Sequence, residues 1–138
     1  MKKAVIILSI IAAALSLTGC EIDGAMIRTE EYIIKPTDWI ATNDCLYVEC
    51  NADFLTRSAI DNGIVSVCYY IDEERTWAPL PFISTVAYSN GMSSTTTVVE
   101  SIRAEWSEGL VVFIVEDMDG RVPLLFDSDK RFKVSVSR

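Results

Sequence analysis

Residues 131–137 read Arg-Phe-Lys-Val-Ser-Val-Ser, with apolar and polar side chains at strictly alternating positions. Successive side chains of a β-strand point to opposite faces, so this alternation is typical of a strand with one buried face. Phe132, Val134 and Val136 are therefore expected to pack into a core, while the residues between them face solvent. The chain is predicted to end in a half-buried strand.

Similar stretches upstream indicate further strands. Residues 65–71 and 102–106 also alternate, and Trp106 is in phase with the apolar positions of its stretch. Residues 110–115 are apolar on both faces, which is typical of a central strand. Residues 107–109, Ser-Glu-Gly, fit a three-residue hairpin loop with glycine in the left-handed region.

Turn residues separate the other strands. Residues 61–63 and 89–91 both end in Asn-Gly, a pair that tolerates positive φ. A single helical turn is expected at residues 56–60, where Thr56 would act as the N-cap and Gly63 would end the helix.

Short strands separated by turn residues predict an all-β fold, namely an antiparallel β-sandwich of about seven strands, immunoglobulin-like or similar. A small β-barrel is the alternative that this pattern leaves open. The chain of 138 residues shows no internal repeat and no low-complexity tract. One domain is therefore expected at residues 30–138, behind a short tether at residues 20–29.

The first 19 residues differ from the rest of the chain. Lys2 and Lys3 precede a run at residues 4–17 that is apolar except for two serines. A membrane-spanning helix needs about 20 apolar residues, so this run is too short to cross a bilayer. Residues 1–19 instead fit a signal peptide with a short apolar helix.

The residues at the end of this segment, Leu17-Thr18-Gly19-Cys20, resemble the lipobox of bacterial lipoproteins. The resemblance implies cleavage after Gly19, a diacylglyceryl group on the Cys20 thiol, and an acylated new N-terminus, with chains such as palmitate. One acyl chain holds a protein only marginally at a membrane, whereas two or three anchor it stably. The membrane is therefore an expected partner, reached through the N-terminal lipid.

The next residues, Glu21-Ile22-Asp23-Gly24, place two acids close behind that cysteine. They resemble a signal in lipoproteins of Bacteroides-type bacteria that reach the cell surface, and an acidic tether without this role is the alternative. The expected location is the cell envelope, in the outer membrane, and the choice of leaflet stays open.

A second resemblance covers residues 45–137. It rests on the sequence of residues 54–65, on Trp-Ala-Pro-Leu-Pro-Phe at residues 77–82, and on Phe-Lys-Val at residues 132–134. These stretches are similar to a group of small uncharacterised lipoproteins of Bacteroides-type bacteria, and Trp-x-Pro-Leu-Pro is the most specific piece. The resemblance implies a compact β domain. It carries no activity, so no functional residue is transferred.

The chain is acidic and contains no histidine, with 12 Lys and Arg against 20 Asp and Glu and a net charge of −8. Loss of residues 1–19 removes two lysines from that total, so the mature charge is −10. Nucleic acid is not expected as a partner, because phosphate binding needs a concentrated basic surface. The absence of histidine excludes Ser–His and Cys–His catalysis and histidine-ligated metal sites.

Three cysteines remain after lipidation, namely Cys45, Cys50 and Cys68. An oxidising envelope permits a disulfide, and Cys50–Cys68 is the candidate pair because their strands are expected to be neighbours. Cys45 and Cys50 are an odd number of residues apart, so on one straight strand they point to opposite faces. Three free thiols are the alternative. A zinc site has no fourth cysteine or histidine to complete it, so no metal or cofactor is expected.

Aromatic side chains are the candidate ligand-binding groups. Trp39, Trp77 and Tyr70 could form a platform on which sugar rings stack, because Tyr70 lies on the polar side of its strand and Trp77 lies just before two prolines. The alternative is that the large aromatics, Trp106 included, pack in the core or at its edge.

The acidic residues are scattered through turns. Residues 116–120 resemble half of a calcium loop, but the glycine comes too early and the closing glutamate is missing, so an acidic β-turn is expected. No catalytic residue is assigned. The sequence predicts a lipid-anchored envelope lipoprotein that is a non-catalytic binding or scaffolding module for an envelope protein or a polysaccharide. A carbohydrate-binding accessory lipoprotein is the first alternative, and a small envelope enzyme is the second.

Overall fold

The computed structural model describes residues 27–89, 95–119, 123 and 126–138. Over these residues it contains nine β-strands and one short α-helix. The strands are β1 (Ile27–Ile34), β2 (Ile40–Ala41), β3 (Cys45–Ala52), β4 (Ile64–Ile71), β5 (Thr76–Pro79), β6 (Phe82–Ser89), β7 (Thr95–Ser107), β8 (Gly109–Asp117) and β9 (Lys130–Ser137). The helix α1 spans Arg57–Asn62, and Pro36–Asp38 form a 3-10 turn.

The strands form two antiparallel sheets. One sheet has the order β1-β9-β4-β5, and the other has the order β2-β3-β8-β7-β6. Both sheets are open over the described residues, so the predicted β-sandwich is confirmed and the closed alternative is wrong. The strand count is nine rather than about seven, and two of the nine, β2 and β5, are edge strands of only two and four residues.

The first strand begins earlier than the sequence predicts. Residues 20–29 were expected to be a tether, yet β1 starts at Ile27 and pairs with β9 from there, with Ile27 opposite Ser137. β1 pairs with β9 along its whole length, so backbone hydrogen bonds also order the polar residues Arg28 and Thr29 near the start of β1. Residues 27–29 of the expected tether therefore belong to a strand of the sandwich.

The core lies between the sheets and follows the predicted alternation. Phe132 has no exposed surface, and Val136 is 5% exposed. The Phe132 ring stacks on Phe113 of the other sheet, with the ring centroids 4.0 Å apart. β8 lies in the middle of its sheet, and even Ile114, on its outer face, is buried. The prediction of a central strand at residues 110–115 is confirmed.

The helical turn is also confirmed, but its glycine is needed for a different reason. α1 begins after Thr56, whose Oγ1 accepts a hydrogen bond from the Ala59 amide at 3.2 Å. Gly63 ends the helix as predicted, but its φ of −115° lies outside the left-handed region, so the positive φ that glycine tolerates is not used here. A Cβ on Gly63 would lie 2.5 Å from the carbonyl oxygens of Ala59 and Ser137. Gly63 therefore permits the close approach of α1 to β9.

The hairpin between β7 and β8 has the predicted glycine. Gly109 has a φ of +76°, and its amide donates to the Leu55 carbonyl at 2.9 Å. Trp106, just before the loop, is in phase with the core positions but is 42% exposed. β6 pairs with β7 only as far as Ile102, so Trp106 lies on the part of β7 that extends beyond its neighbour. Trp106 therefore packs at the edge of the core rather than inside it, which is the second of the two positions expected for the large aromatics.

Candidate functional site

The predicted lipidation site precedes the described residues. Cys20 and Gly19 lie before residue 27, where the described chain begins, so their assignment stays a prediction. Within the described ranges, no helix has the length and apolar composition that crossing a bilayer requires.

The three other cysteines are free thiols. Cys50 lies in β3 and packs against the core, whereas Cys68 lies in β4 of the opposite sheet. The expectation that their strands are neighbours is wrong, and Cys68 lies on the outer face of its sheet, so the candidate Cys50–Cys68 disulfide is not formed and the alternative of three free thiols holds. Cys45 lies on the same strand as Cys50 but on its outer face, with its Sγ 3.2 Å from Oγ1 of Thr42. Burial, and to a smaller extent Asp38, raises the pKa of the Cys50 thiol, so this thiol is poorly nucleophilic.

Trp39 does not belong to a ligand platform. It is 6% exposed, and its ring packs edge-on against Phe126 and Phe132, with ring centroids 5.2 and 6.2 Å away. Its Nε1 is buried and finds no hydrogen-bond partner in the described part of the chain. A sugar cannot stack on a ring in this position, so the prediction is wrong for Trp39, which is a core residue.

Tyr70 and Trp77 do lie together, on the outer face of the four-stranded sheet. They stand opposite each other on β4 and β5, with ring centroids 5.1 Å apart and ring planes inclined by 58°. Both side chains are half-buried. The structure thus brings two of the three predicted aromatic residues together, but their inclination excludes one flat platform made of both rings.

Two cations from β9 lie over these rings. Lys133 Nζ is 3.9 Å from the centre of the Trp77 ring, and Arg131 Cζ is 4.5 Å from the centre of the Tyr70 ring. Arg131 also pairs with Glu31 of β1 at 2.6 Å, and the hydrogen bonds to Glu31 raise the pKa of its guanidinium. These five residues are called the cation–aromatic cluster below.

Two buried acids face each other across β7 and β8. Glu100 and Asp117 are opposite in register and are 3% and 7% exposed. Asp117 Oδ1 accepts a hydrogen bond from the Asp119 amide at 2.7 Å, as expected at the start of the acidic turn predicted for residues 116–120. Neither acid lines either of two grooves found between described residues. The described part of the chain contains no group of Cys, Asp and Glu arranged to hold a metal ion.

A groove of about 330 Å³ opens between the two sheets at one side of the sandwich. Its lining comes from β4, β7 and the connection between β5 and β6. It includes Val65, Val67, Leu80, Pro81, Ala104 and Trp106. The lining is mainly apolar because the valines, Ala104 and Trp106 occupy the core-facing positions of their strands.

Two strand segments border this groove without a neighbouring strand. β5 pairs only with the second half of β4, and β6 pairs with β7 only as far as Ile102. The Leu80 amide donates a hydrogen bond to the Val67 carbonyl at 2.9 Å, so the unpaired part of β4 ends before Val67. Within the described chain, residues 64–66 and 103–107 therefore have one unpaired side. The groove and these two segments are called the open side below.

Sequence patterns did not reveal the open side. Alternation shows which residues of a strand face the core, but it does not show how far a neighbouring strand runs beside them. One signal was present in Pro79 and Pro81, since proline donates no hydrogen bond to a ladder and favours strand ends and edges. These prolines lie where the chain leaves β5 and crosses to β6.

No protein-family model, no curated protein and no solved structure matches this chain. The functional interpretation therefore depends on the geometry of the described residues and on the sequence motifs.

Proposed function

We propose that the chain is a lipid-anchored cell-envelope protein that binds an extended segment of another envelope protein and performs no catalysis. The open side supports this proposal, because two unpaired strand segments border an apolar groove. The lipobox-like residues 17–20 supply the anchor, and Cys20 carries the lipid.

The backbone of the open side favours a strand as the bound element. Unpaired N–H and C=O groups at a sheet edge are a template for a further strand, and many domains bind extended peptides in this way. Residues 103–107 form the longer of the two free segments. Five residues of strand span roughly 17 Å, which is enough for a short added strand.

The side chains of the open side favour apolar residues at alternate positions of the bound segment. Trp106 lines the groove and is 42% exposed, and Val65 and Val67 line its opposite wall. Every second side chain of an added strand would point toward this groove. Tryptophan is also enriched among the residues that contribute most to binding at protein interfaces.

The charge of the open side favours basic residues in the bound segment. Glu105 and Glu108 are exposed beside the free edge of β7. Arg103 is paired with both Glu105 and Glu116, so this single cation leaves the rim with an excess of negative charge. A segment that alternates apolar residues with Lys or Arg is therefore complementary to both the groove and its rim.

Peptide selection on the full-length mature lipoprotein in detergent micelles tests this proposal. Random peptides displayed on phage should yield sequences that alternate apolar residues with Lys or Arg. Trp106→Glu should weaken binding of the selected peptides by about ten-fold or more, because it places a charge in the apolar groove.

Ile40→Glu is the matched control, since Ile40 is 51% exposed but lies on β2 at the opposite edge of its sheet. This variant should bind the selected peptides as the unmodified protein does. Selected sequences without alternation, or equal affinity for both variants, would refute the proposal.

A further inference from the structure

We infer that the cation–aromatic cluster binds an acidic sugar, such as a uronate unit of a polysaccharide. The cluster consists of Glu31, Tyr70, Trp77, Arg131 and Lys133 on the outer face of the four-stranded sheet. None of these residues belongs to the open side. The inference is therefore independent of the proposed peptide binding.

The geometry of the cluster places an indole and an ammonium side by side on the sheet surface. β4 lies between β5 and β9, so the contact between Trp77 and Lys133 spans two strand spacings, about 9.6 Å. The register places Cys68 between Lys133 and Pro79. Both long side chains therefore extend across β4 on its outer face, where a ligand can reach them.

Lys133 is the cation of the cluster that can pair with a ligand carboxylate. Arg131 is already neutralised by Glu31, whereas Lys133 has no carboxylate within ion-pair distance in the described chain. A cation–π contact at an exposed site is weak, so a ligand carboxylate can draw the ammonium away from the indole. The same movement exposes the indole face, on which the sugar ring can stack.

The surroundings of the cluster favour a sugar over a simple anion. Thr29 and Ser135 lie on the same face, and their hydroxyl groups are hydrogen-bonded to each other at 2.8 Å. Glu31, opposite Lys133 in register, can accept hydrogen bonds from sugar hydroxyls. The mature net charge of −10 repels polyanions at long range, so recognition depends on these local contacts rather than on overall charge.

Affinity electrophoresis of the full-length mature lipoprotein in detergent micelles tests the inference, with polygalacturonate, dextran or polyglutamate in the gel. Polygalacturonate should retard the protein, and the other two polymers should not. Lys133→Gln and Trp77→Leu should each raise the dissociation constant by about five-fold or more. Lys35→Gln removes the same charge at an exposed lysine outside the cluster, and it should bind unchanged.

Every other outcome overturns the inference. Equal retardation by dextran would show stacking without charge recognition, and equal retardation by polyglutamate would show charge recognition without a sugar. Absence of retardation by polygalacturonate, or an unchanged dissociation constant for Lys133→Gln, would refute it directly. Trp77 is half-buried, so its variant is first checked by circular dichroism; if that variant is unfolded, Lys133→Gln decides the question alone.

Discussion

Tyr69 occupies a core position in which its hydroxyl group is hard to ionise. The residue is 8% exposed, and its ring lies 5.5 Å from that of Phe132. Burial, followed by the negative charges of Asp72, Glu73 and Glu100, raises the pKa of Tyr69 to about 12. An exposed tyrosine has a pKa of about 10, so the folded state retains this proton over a range in which the unfolded chain releases it.

The raised pKa of Tyr69 predicts a loss of stability at alkaline pH. Below pH 10 the tyrosine is protonated in both states and the stabilisation is fully present. Between pH 10 and 12 it is lost, which lowers the free energy of unfolding by about 3 kcal/mol at most. Tyr69→Phe lacks this ionisation and should lose less stability over the same range. Urea unfolding of both proteins from pH 9 to 11 checks the difference, and identical pH dependence would contradict it.

At the scale of elements, two glycines end or join elements for different physical reasons. Gly63 lies where α1 meets β9, and a Cβ there would be 2.5 Å from two carbonyl oxygens. Gly109 lies in the β7–β8 hairpin at a φ of +76°, and a Cβ there would meet no atom within 4 Å. Space is limiting at Gly63, whereas backbone conformation is limiting at Gly109.

Alanine and asparagine substitutions should distinguish these two reasons. Gly109→Ala should cost about 1 kcal/mol, because alanine is strained in the left-handed region. Gly109→Asn should cost less, because asparagine tolerates this region. At Gly63 the order should reverse, with Ala costing about 2 kcal/mol and Asn more, because the larger side chain clashes more severely. Thermal and urea unfolding of the four variants measure both orders, and the same order at both positions would contradict the assignment.

At the scale of the whole molecule, the folded domain and the proposed anchor are separate parts of the chain. The described fold begins at Ile27, after Cys20. The core of the described residues runs from Ile34 in β1 to Val136 in β9. Attachment to a membrane and folding of the sandwich are therefore expected to be independent.

Substitution of Cys20 tests this independence. Cys20→Ala should abolish palmitate incorporation and move the protein out of the membrane fraction, because the thiol that carries the lipid is gone. Its circular dichroism spectrum should keep the β-sheet signal. Cys45→Ala removes an outward-facing thiol in the domain and should leave both labelling and fractionation unchanged. A labelled or membrane-bound Cys20→Ala protein would contradict the lipidation prediction.

The sequence by itself determined the class of fold, because strand alternation is a local property. The period of two at residues 131–137, 65–71 and 102–106 identified core-facing positions, and the glycine of residues 107–109 identified a hairpin. Each of these signals depends on a few neighbouring residues and on the pleat of one strand. The lipobox-like motif is equally local, so a prediction about Cys20 needed no knowledge of the fold.

Only the tertiary structure decided which residues share a surface. Cys50 and Cys68 belong to different sheets. Trp39 is buried in the core, whereas Trp77 lies half-buried on the outer face of a sheet, and the residues beside each tryptophan in the sequence do not distinguish the two positions. The open side beside Trp106 likewise depends on where β5 and β6 stop pairing. Strand order and pairing length arise from contacts between residues far apart in the chain, and a local pattern carries no information about such contacts.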